Sequence, residues 1–525
     1  MVLTALLVFL LQSMPLQQPD VAEEIRRRVE LLREGSTLVL AGEAIGHAAR
    51  LPGLYESRAF APLWTDAGAV ADLVRAIREV EADGLDPRDY HIAALESLAV
   101  TPRTAAAAAE ADLLRSDALA RLAHDLHFGR VDPGSLQQSW HIPGRPDTLA
   151  TGVLQAIVSA GRLYSAIEAQ RPSHFIYLGM RRALASYRAI AARGGWQMLP
   201  AGPALQIDSI GARVAQLRRR LAVEGDLASA DTMSAVFDST LAAAVRLFQH
   251  RHALNEDGVV GAATLRELNV PIETRIDQIR INLERARWVL GDLTDTFVAV
   301  NVAGQRAYFV KDRNVVWETR VITGKTYTRT PVFSAPMRYI VLNPTWTVPP
   351  GIVGEVLSAI RRDPGYLRKN GMRVLDAAGR AVNPSSVDFA RSARSFPYTF
   401  RQDAGPANPL GSIKFVFPND YNVYLHDTPA RTLFEREDRT FSHGCIRVQD
   451  PLRLGELILS AQLGWTRAEL EAAVATGQTR TVNLVTPIPT LVLYWTASTD
   501  LHGEVHFYRD VYERDARLLR ALEGG

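Results

Sequence analysis

His426, fifteen further residues, and then Ser442-His443-Gly444-Cys445-Ile446-Arg447 form the stretch that decides how this chain is read. Cys445 is the only cysteine among 525 residues, so it has no intramolecular disulfide partner. Two histidines share its short window, which points to a thiolate nucleophile whose proton an imidazole takes and later returns to a leaving amine. The tetrahedral intermediate of such an acyl transfer needs oxyanion donors. Main-chain N–H groups around Gly444 are candidates, because glycine lets other groups approach the backbone closely. Arg447 lies two residues past Cys445 and so on the same face of an extended segment, where its guanidinium fork can hold a substrate carboxylate. Two blander readings stand beside this one. A lone cysteine is often a small buried hydrophobe, and the second such reading is a metal site with His426, His443 and Cys445 as three ligands of zinc. The His-x-Cys spacing is narrower than the pairs of common zinc modules and no second cysteine completes a closed site, so the expected metal complement is none.

The spacing of His426 and the contiguous Ser-His-Gly-Cys resemble the signature of the YkuD-type L,D-transpeptidases, which cross-link bacterial peptidoglycan. The resemblance assigns the general base to His426, the acyl-enzyme to Cys445 and a supporting role to His443. It gives the third catalytic element to the main-chain carbonyl of Asp427. Arg447, Asn343-Pro344-Thr345-Trp346-Thr347-Val348-Pro349-Pro350, Tyr424-Leu425-His426-Asp427-Thr428-Pro429 and Gly324-Lys325 with Thr330-Pro331 look like the long, YcbB-like subgroup. Ser442, Arg447 and Trp346 are the substrate-binding candidates, with a plain core aromatic as the equal alternative for Trp346.

Length sets the next constraint. The chain is far above single-domain size, and 47% apolar with 22% charged residues is enough for several cores. A net charge of +2, from 59 basic and 57 acidic side chains, gives no global drive toward nucleic acid. The apolar run from Met1 to Leu11, before Gln12, suits a signal-peptide core and is short for a membrane span, yet lacks a basic n-region. Residues 1–18 are therefore expected to be a signal peptide or an anchor.

Residues 20–204 read as a helical scaffold. Leu73, Val74, Ile77 and Val80 have helical spacing, the alanines at 105–109 favour helix, and Gly84-Leu85-Asp86-Pro87 and Gly129-Arg130-Val131-Asp132-Pro133 are turns. With Trp64 and Asp89-Tyr90, these turns resemble the scaffold domain of the same subgroup. At 205–271, Val245-x-x-Phe248-Gln249, Asp257-Gly258-Val259-Val260-Gly261 and Thr264 resemble a small three-helix peptidoglycan-binding domain. A linker helix is expected at 272–294. From 295 to 525 the pattern turns to period two, in Phe297–Val302, Ala307–Val310, Val315–Ile322, Arg338–Leu342, Ile413–Phe417, Val423–His426, Leu491–Trp495 and Val505–Tyr508, all expected in one sheet. Residues 351–405 interrupt it as a polar, proline-marked insertion, read as a helical lid.

The fold class expected is thus multi-domain α+β: helical scaffold, three-helix module and a mainly β, YkuD-like catalytic domain with a lid. The resemblance implies a cofactor-free, envelope or periplasmic enzyme acting on peptidoglycan stem peptides, making 3→3 cross-links and acylated by carbapenems. The same thiol serving water as acceptor, as an L,D-carboxypeptidase or a hydrolase releasing wall-bound protein, is the first alternative. A wall-binding scaffold without chemistry is the second.

Overall fold

The period-two segments beyond Phe297 do form strands, and their sheet rolls up until it meets itself. A computed structural model describes residues 18–524 apart from 47–48, 99–101, 137–139, 144–150, 160, 229–231 and 292. The signal or anchor expectation therefore falls almost wholly outside the described residues; among these, no helix is long and apolar enough to cross a membrane.

The sheet contains β1 (Trp140–His141), β2 (Phe297–Asn301), β3 (Arg306–Lys311), β4 (Asn314–Gly324), β5 (Val332–Leu342), β6 (Ile413–Val416), β7 (Leu425–His426), β8 (Thr440–Ser442), β9 (Ile446–Val448) and β10 (Arg480–Leu493). Its order is β6-β7-β9-β4-β3-β2-β10-β5, and β6 pairs with β5 to close the ring. β1 extends β5 and β8 flanks β4. Every residue of β2 is buried, because its two faces serve different cores. Val298 and Val300 point into the interior of the rolled sheet, while Phe297 and Ala299 join an outer core against helices.

Helices flank this sheet or build the neighbouring cores, among them α1 (Ala105–Phe128), α2 (Phe175–Ala192), α3 (Ser239–Arg251), α4 (Ile272–Leu290) and α5 (Val353–Arg362). α1 organises the N-terminal core. Its Asp112, at 3% exposure, accepts the N–H groups of Leu63 and Trp64 and the hydroxyl of Tyr55, so a carboxylate inside the helical layer is fully used. α3 belongs to a three-helix module with its own core around Leu217, Phe237, Leu241 and Phe248. There Gln249 accepts from Gly258 N–H at 2.9 Å and donates to Asp257 Oδ1 at 2.8 Å, which is why Phe248-Gln249 and Asp257-Gly258 occur together.

Two expectations need correction. The segment expected to be a linker helix is α4, a core helix with Ile279, Leu283, Ala286 and Arg287 all buried. Its Glu284 accepts Val131 N–H at 2.8 Å and its Trp288 indole donates to the Val131 carbonyl at 2.9 Å, so the Gly129–Pro133 turn docks on it. A Cβ at Gly129 would come within 2.7 Å of both side chains. The second correction concerns Val505–Tyr508, which leaves the main sheet to form a hairpin of β11 (Ala497–Thr499) and β12 (Val505–Phe507). Gln278 of α4 donates to the carbonyls of Thr496 at 2.7 Å and Tyr508 at 2.9 Å, and Asn282 accepts Thr496 N–H at 3.0 Å. These bonds hold the hairpin base on the helix and away from the sheet edge.

The insertion is not simply helical. Beside α5 it carries three strands, Met372–Leu375, Ala381–Val382 and Thr399–Gln402, which form a four-stranded sheet with Trp346–Thr347 just before it. Val353, Val356, Leu357, Val374 and Phe400 give it a core of its own.

Candidate active site

β7 is only two residues long, yet it lies between β6 and β9 and so aligns the site. Lys414 is opposite His426, and His426 is opposite Arg447, across three adjacent strands. Alternation then turns Leu425, Phe415 and Ile446 into the core, all at 0% exposure, and puts Lys414, His426 and Arg447 together on the other face. One register step away on that face are Tyr424 and Cys445, held abreast by the Ile446 N–H to Tyr424 carbonyl bond of 3.1 Å.

His426 is 4% exposed, and its Nδ1 donates to the Asp427 carbonyl at 2.5 Å. This bond fixes the tautomer and leaves Nε2 as the proton acceptor. The Asp427 side chain is itself locked: Oδ2 accepts Ser412 N–H at 2.9 Å and Oδ1 accepts Thr428 N–H at 2.7 Å. Burial, and then the charge of Arg447, push the His426 imidazole down to about 3, so it is neutral at physiological pH.

Burial also pushes the Cys445 thiol up, against the Tyr424 hydroxyl, which donates to the sulfur, and the charges of Lys414 and Arg447. At rest the thiol donates to the Asn422 carbonyl at 3.4 Å, so its proton is not yet shared with His426. Lys414 Nζ sits 3.7 Å from the centroid of the Tyr424 ring. Among the described residues neither Lys414 nor Arg447 has a carboxylate partner, and burial lowers the proton affinity of both. Two half-buried cations beside one thiol favour an anion there, either the thiolate or a substrate carboxylate.

The nucleophile loop rests on the 324–330 turn. Lys325 N–H donates to the Ser442 carbonyl at 3.0 Å, Thr328 Oγ1 to the same oxygen at 3.1 Å, and Thr330 Oγ1 to the Gly444 carbonyl at 2.9 Å. Thr330 Oγ1 also accepts Gly324 N–H at 2.9 Å. Thr330→Val keeps the volume and leaves both partners buried and unpaired, an expected loss of about 1–3 kcal/mol. Denaturation followed by Trp fluorescence, with acylation rates for the folded variant, checks this; unchanged stability and rate would remove the turn from the site's support.

Two site expectations, Ser442 and Gly444, change. Ser442, a substrate-binding candidate, is 2% exposed, and its hydroxyl donates to the Cys445 carbonyl at 2.5 Å while accepting Gly444 N–H at 3.1 Å. It shapes the loop. The Gly444 N–H is thereby taken, whereas the N–H of the next residue, Cys445, has no partner among the described residues. Gly444 is needed for its φ of +112°, since an added Cβ would meet nothing closer than 3.9 Å. Trp346 packs against the insertion core from its edge strand.

Sequence reasoning missed Lys414 and Tyr424, although a lysine in the apolar run Ile413–Phe417 and a tyrosine two residues before His426 were visible signals. It also missed Glu355 of α5, which accepts from His443 Nε2 at 2.9 Å and joins the insertion to the nucleophile loop.

Comparison with known proteins finds similarity in three parts of the chain. The L,D-transpeptidase catalytic domain matches residues 295–483, a "Putative peptidoglycan binding domain" matches 210–268, and a scaffold domain matches 49–184. A protein of Haemophilus influenzae described as "Putative L,D-transpeptidase" is 32% identical over 248 residues, 47% of this chain and 50% of the relative. The chain thus spans about half the length of the curated relative it matches. Among solved structures, an L,D-transpeptidase of Stackebrandtia nassauensis is 14% identical, over 56% of this chain and 97% of that one, with a TM-score of 0.23. Residues 123–326 of an L,D-transpeptidase of Xylanimonas cellulosilytica are 15% identical, over 56% of this chain and 99% of that one, with a TM-score of 0.18. Residues 295–483 thus match an L,D-transpeptidase catalytic domain, with a scaffold domain and a peptidoglycan-binding-type module matched ahead of it in the chain.

Proposed function

We propose that the chain is a cell-envelope, periplasmic L,D-transpeptidase that forms 3→3 peptidoglycan cross-links through a thioester on Cys445. The single observation that carries the reading is the Nδ1–H bond from His426 to the Asp427 carbonyl, which leaves a neutral Nε2 base on the face that bears the lone thiol.

The donor is a tetrapeptide stem ending in D-alanine. Its third residue, a diamino acid, presents the scissile carbonyl. Cys445 Sγ attacks that carbon as its proton passes to His426 Nε2, and the oxyanion is received by the Cys445 N–H. Collapse returns the proton to the leaving D-alanine nitrogen and leaves the acyl group on sulfur. The side-chain amine of another stem then attacks the thioester, His426 takes its proton, and the thiolate departs between Lys414 and Arg447. Arg447 holds the stem carboxylate through its fork, and the 205–271 module and the scaffold keep the domain at the wall. Carbapenems, as strained acyl donors, acylate the same sulfur.

Mass spectrometry of muropeptides after incubation with the purified protein tests this. Dimers linked 3→3 are expected. Shortened stems alone would make water the acceptor, and no change would leave a binding scaffold.

The insertion at 351–405 is the proposed lid. Its own core and the His443–Glu355 contact make it a unit that covers the nucleophile loop and limits hydrolysis. Replacing it with a short linker should raise the ratio of hydrolysis to cross-linking while carbapenem acylation of Cys445 persists. An unchanged ratio in a folded variant would place acceptor choice elsewhere.

A further inference from the structure

At rest the thiol of Cys445 is held by a turn that the His426 and Ser-His-Gly-Cys motif does not include. Its proton is donated to the Asn422 carbonyl at 3.4 Å. That carbonyl is aimed by an unusual backbone, since Asn422 has a φ of +54°, in the left-handed region. The turn from Asn419 to Val423 is closed by one side chain. Asn419 Oδ1 accepts the N–H groups of Tyr421 at 3.0 Å and Val423 at 3.2 Å. Its Nδ2 donates to the carbonyls of Phe417 at 2.6 Å and Val423 at 2.8 Å. These bonds fix the internal shape of the turn, and its place beside the sulfur depends on what packs against it.

That packing comes partly from outside the catalytic domain. The His141 imidazole stacks on Tyr421 with centroids 4.3 Å apart and planes 21° apart, and Phe333 of β5 meets the same ring at 5.2 Å. His141 belongs to β1, inside the stretch that matches a scaffold domain. Parallel pairing with β5 carries β1 to this spot, with Trp140 opposite Val332 and His141 opposite Phe333. Alternation sends the two side chains of β1 to opposite faces. Trp140 meets Trp288 of α4 edge to face at 5.1 Å, and His141 goes to Tyr421. A line of contacts thus runs from the core helix α4 through β1 to the turn that receives the thiol proton. Tyr421 is 38% exposed, so no enclosing core fixes its ring and each of its two aromatic contacts counts.

We infer that His141 is a positioning residue for Cys445: by stacking on Tyr421 it fixes the 419–423 turn, whose Asn422 carbonyl holds the sulfur as a protonated, resting thiol. The inference rests on the reading of Cys445 as the nucleophile and adds a restraint on it from another domain. A carbonyl that accepts the S–H proton stabilises the neutral form and opposes ionisation. Acylation has to break that bond before the proton can reach His426 Nε2. Tyr424, Lys414 and Arg447 face the sulfur and favour the thiolate, so burial and the Asn422 carbonyl are what oppose them. Loosening the turn therefore makes the thiol more reactive, whereas damage to a merely structural contact would make it less so.

The test reads the thiol directly in the full chain, by the rate of iodoacetamide alkylation across pH and by the rate of carbapenem acylation. Cys445 is the only cysteine, so the alkylation signal has one source. His141→Ala should move the alkylation profile to lower pH by up to about one unit and raise the rate at neutral pH up to about tenfold, the range of one aromatic contact. Carbapenem acylation should rise in step. Tyr421→Leu, which removes the stack from its other side, should act in the same direction. His141→Phe keeps a ring there and should restore wild-type values. Circular dichroism and Tm identify the folded variants. Profiles and rates unchanged in both His141→Ala and Tyr421→Leu, reactivity that falls in both, or failure of His141→Phe to restore the wild-type profile would each overturn the inference. The two readings fail separately. A wild type that takes no carbapenem adduct sinks the nucleophile assignment and this inference with it, and a wild type acylated normally beside unaltered variants sinks the inference alone.

Discussion

Replacing Cys445 with alanine is expected to abolish turnover and the covalent mass adduct formed with a carbapenem, the largest single effect in the molecule. No second thiol exists to substitute for it. The loop around it is held by main-chain bonds and by Thr328, Thr330 and Ser442, none of which involves the sulfur, so the variant should fold. Intact-mass spectrometry after incubation with inhibitor is the measurement. An adduct that survives in Cys445→Ala would end the assignment of the nucleophile.

The next largest effect is expected at His426. His426→Ala should slow acylation by ~10²-fold or more, the usual range for a positioned general base. His443→Ala should cost less, because His443 faces Glu355 at the rim. A larger loss in His443→Ala than in His426→Ala, with both folded, would exchange the two roles. The low proton affinity of His426 adds a pH signature. Its imidazole is neutral in the folded protein down to about 3, whereas in the unfolded chain it takes a proton below about 6.5. The unfolded state therefore binds the extra proton between those values. The stabilisation is fully present above 6.5 and is lost as pH falls, at about 1.4 kcal/mol per pH unit for this one group. Acylation rates should show no inflection near pH 6.5, and His426→Ala should flatten the acid dependence of catalytic-domain stability. An inflection near 6.5 that disappears in His426→Ala would mean that the ring is solvated rather than buried.

Some of the fold and the site was readable in the chain because it is local. Period-two alternation marks strands whatever they later pair with, so the β-rich half was legible from Phe297 onward. The module at 205–271 was legible because Gln249 and the Asp257-Gly258 turn are separated by few residues and bond directly. The Gly129–Pro133 turn could be seen, but not that it docks on Glu284 and Trp288, since a helix pattern does not say what covers each face. The stretch now seen as α4 was expected only as a linker helix, yet its Gln278 and Asn282 lie inside. They are buried because the backbone of the hairpin base needs their amides.

The sequence by itself determined the residues at the centre of the candidate site: a single cysteine, two histidines in fixed spacing, and a glycine between one of them and the cysteine. These are properties of residue type and of short-range geometry, and neither requires knowledge of distant neighbours. Only the tertiary structure decided what surrounds them. Lys414, His426 and Arg447 are abreast because three strands from different parts of the chain pair in one register, and a slip of one residue would turn all three into the core. Which N–H is left open beside the thiol, which carboxylate meets His443, and why the Ser442 hydroxyl is turned into the loop all depend on competition among hydrogen-bonding groups. That competition is settled by the packing of the 324–330 turn, the insertion and the rolled sheet around one loop.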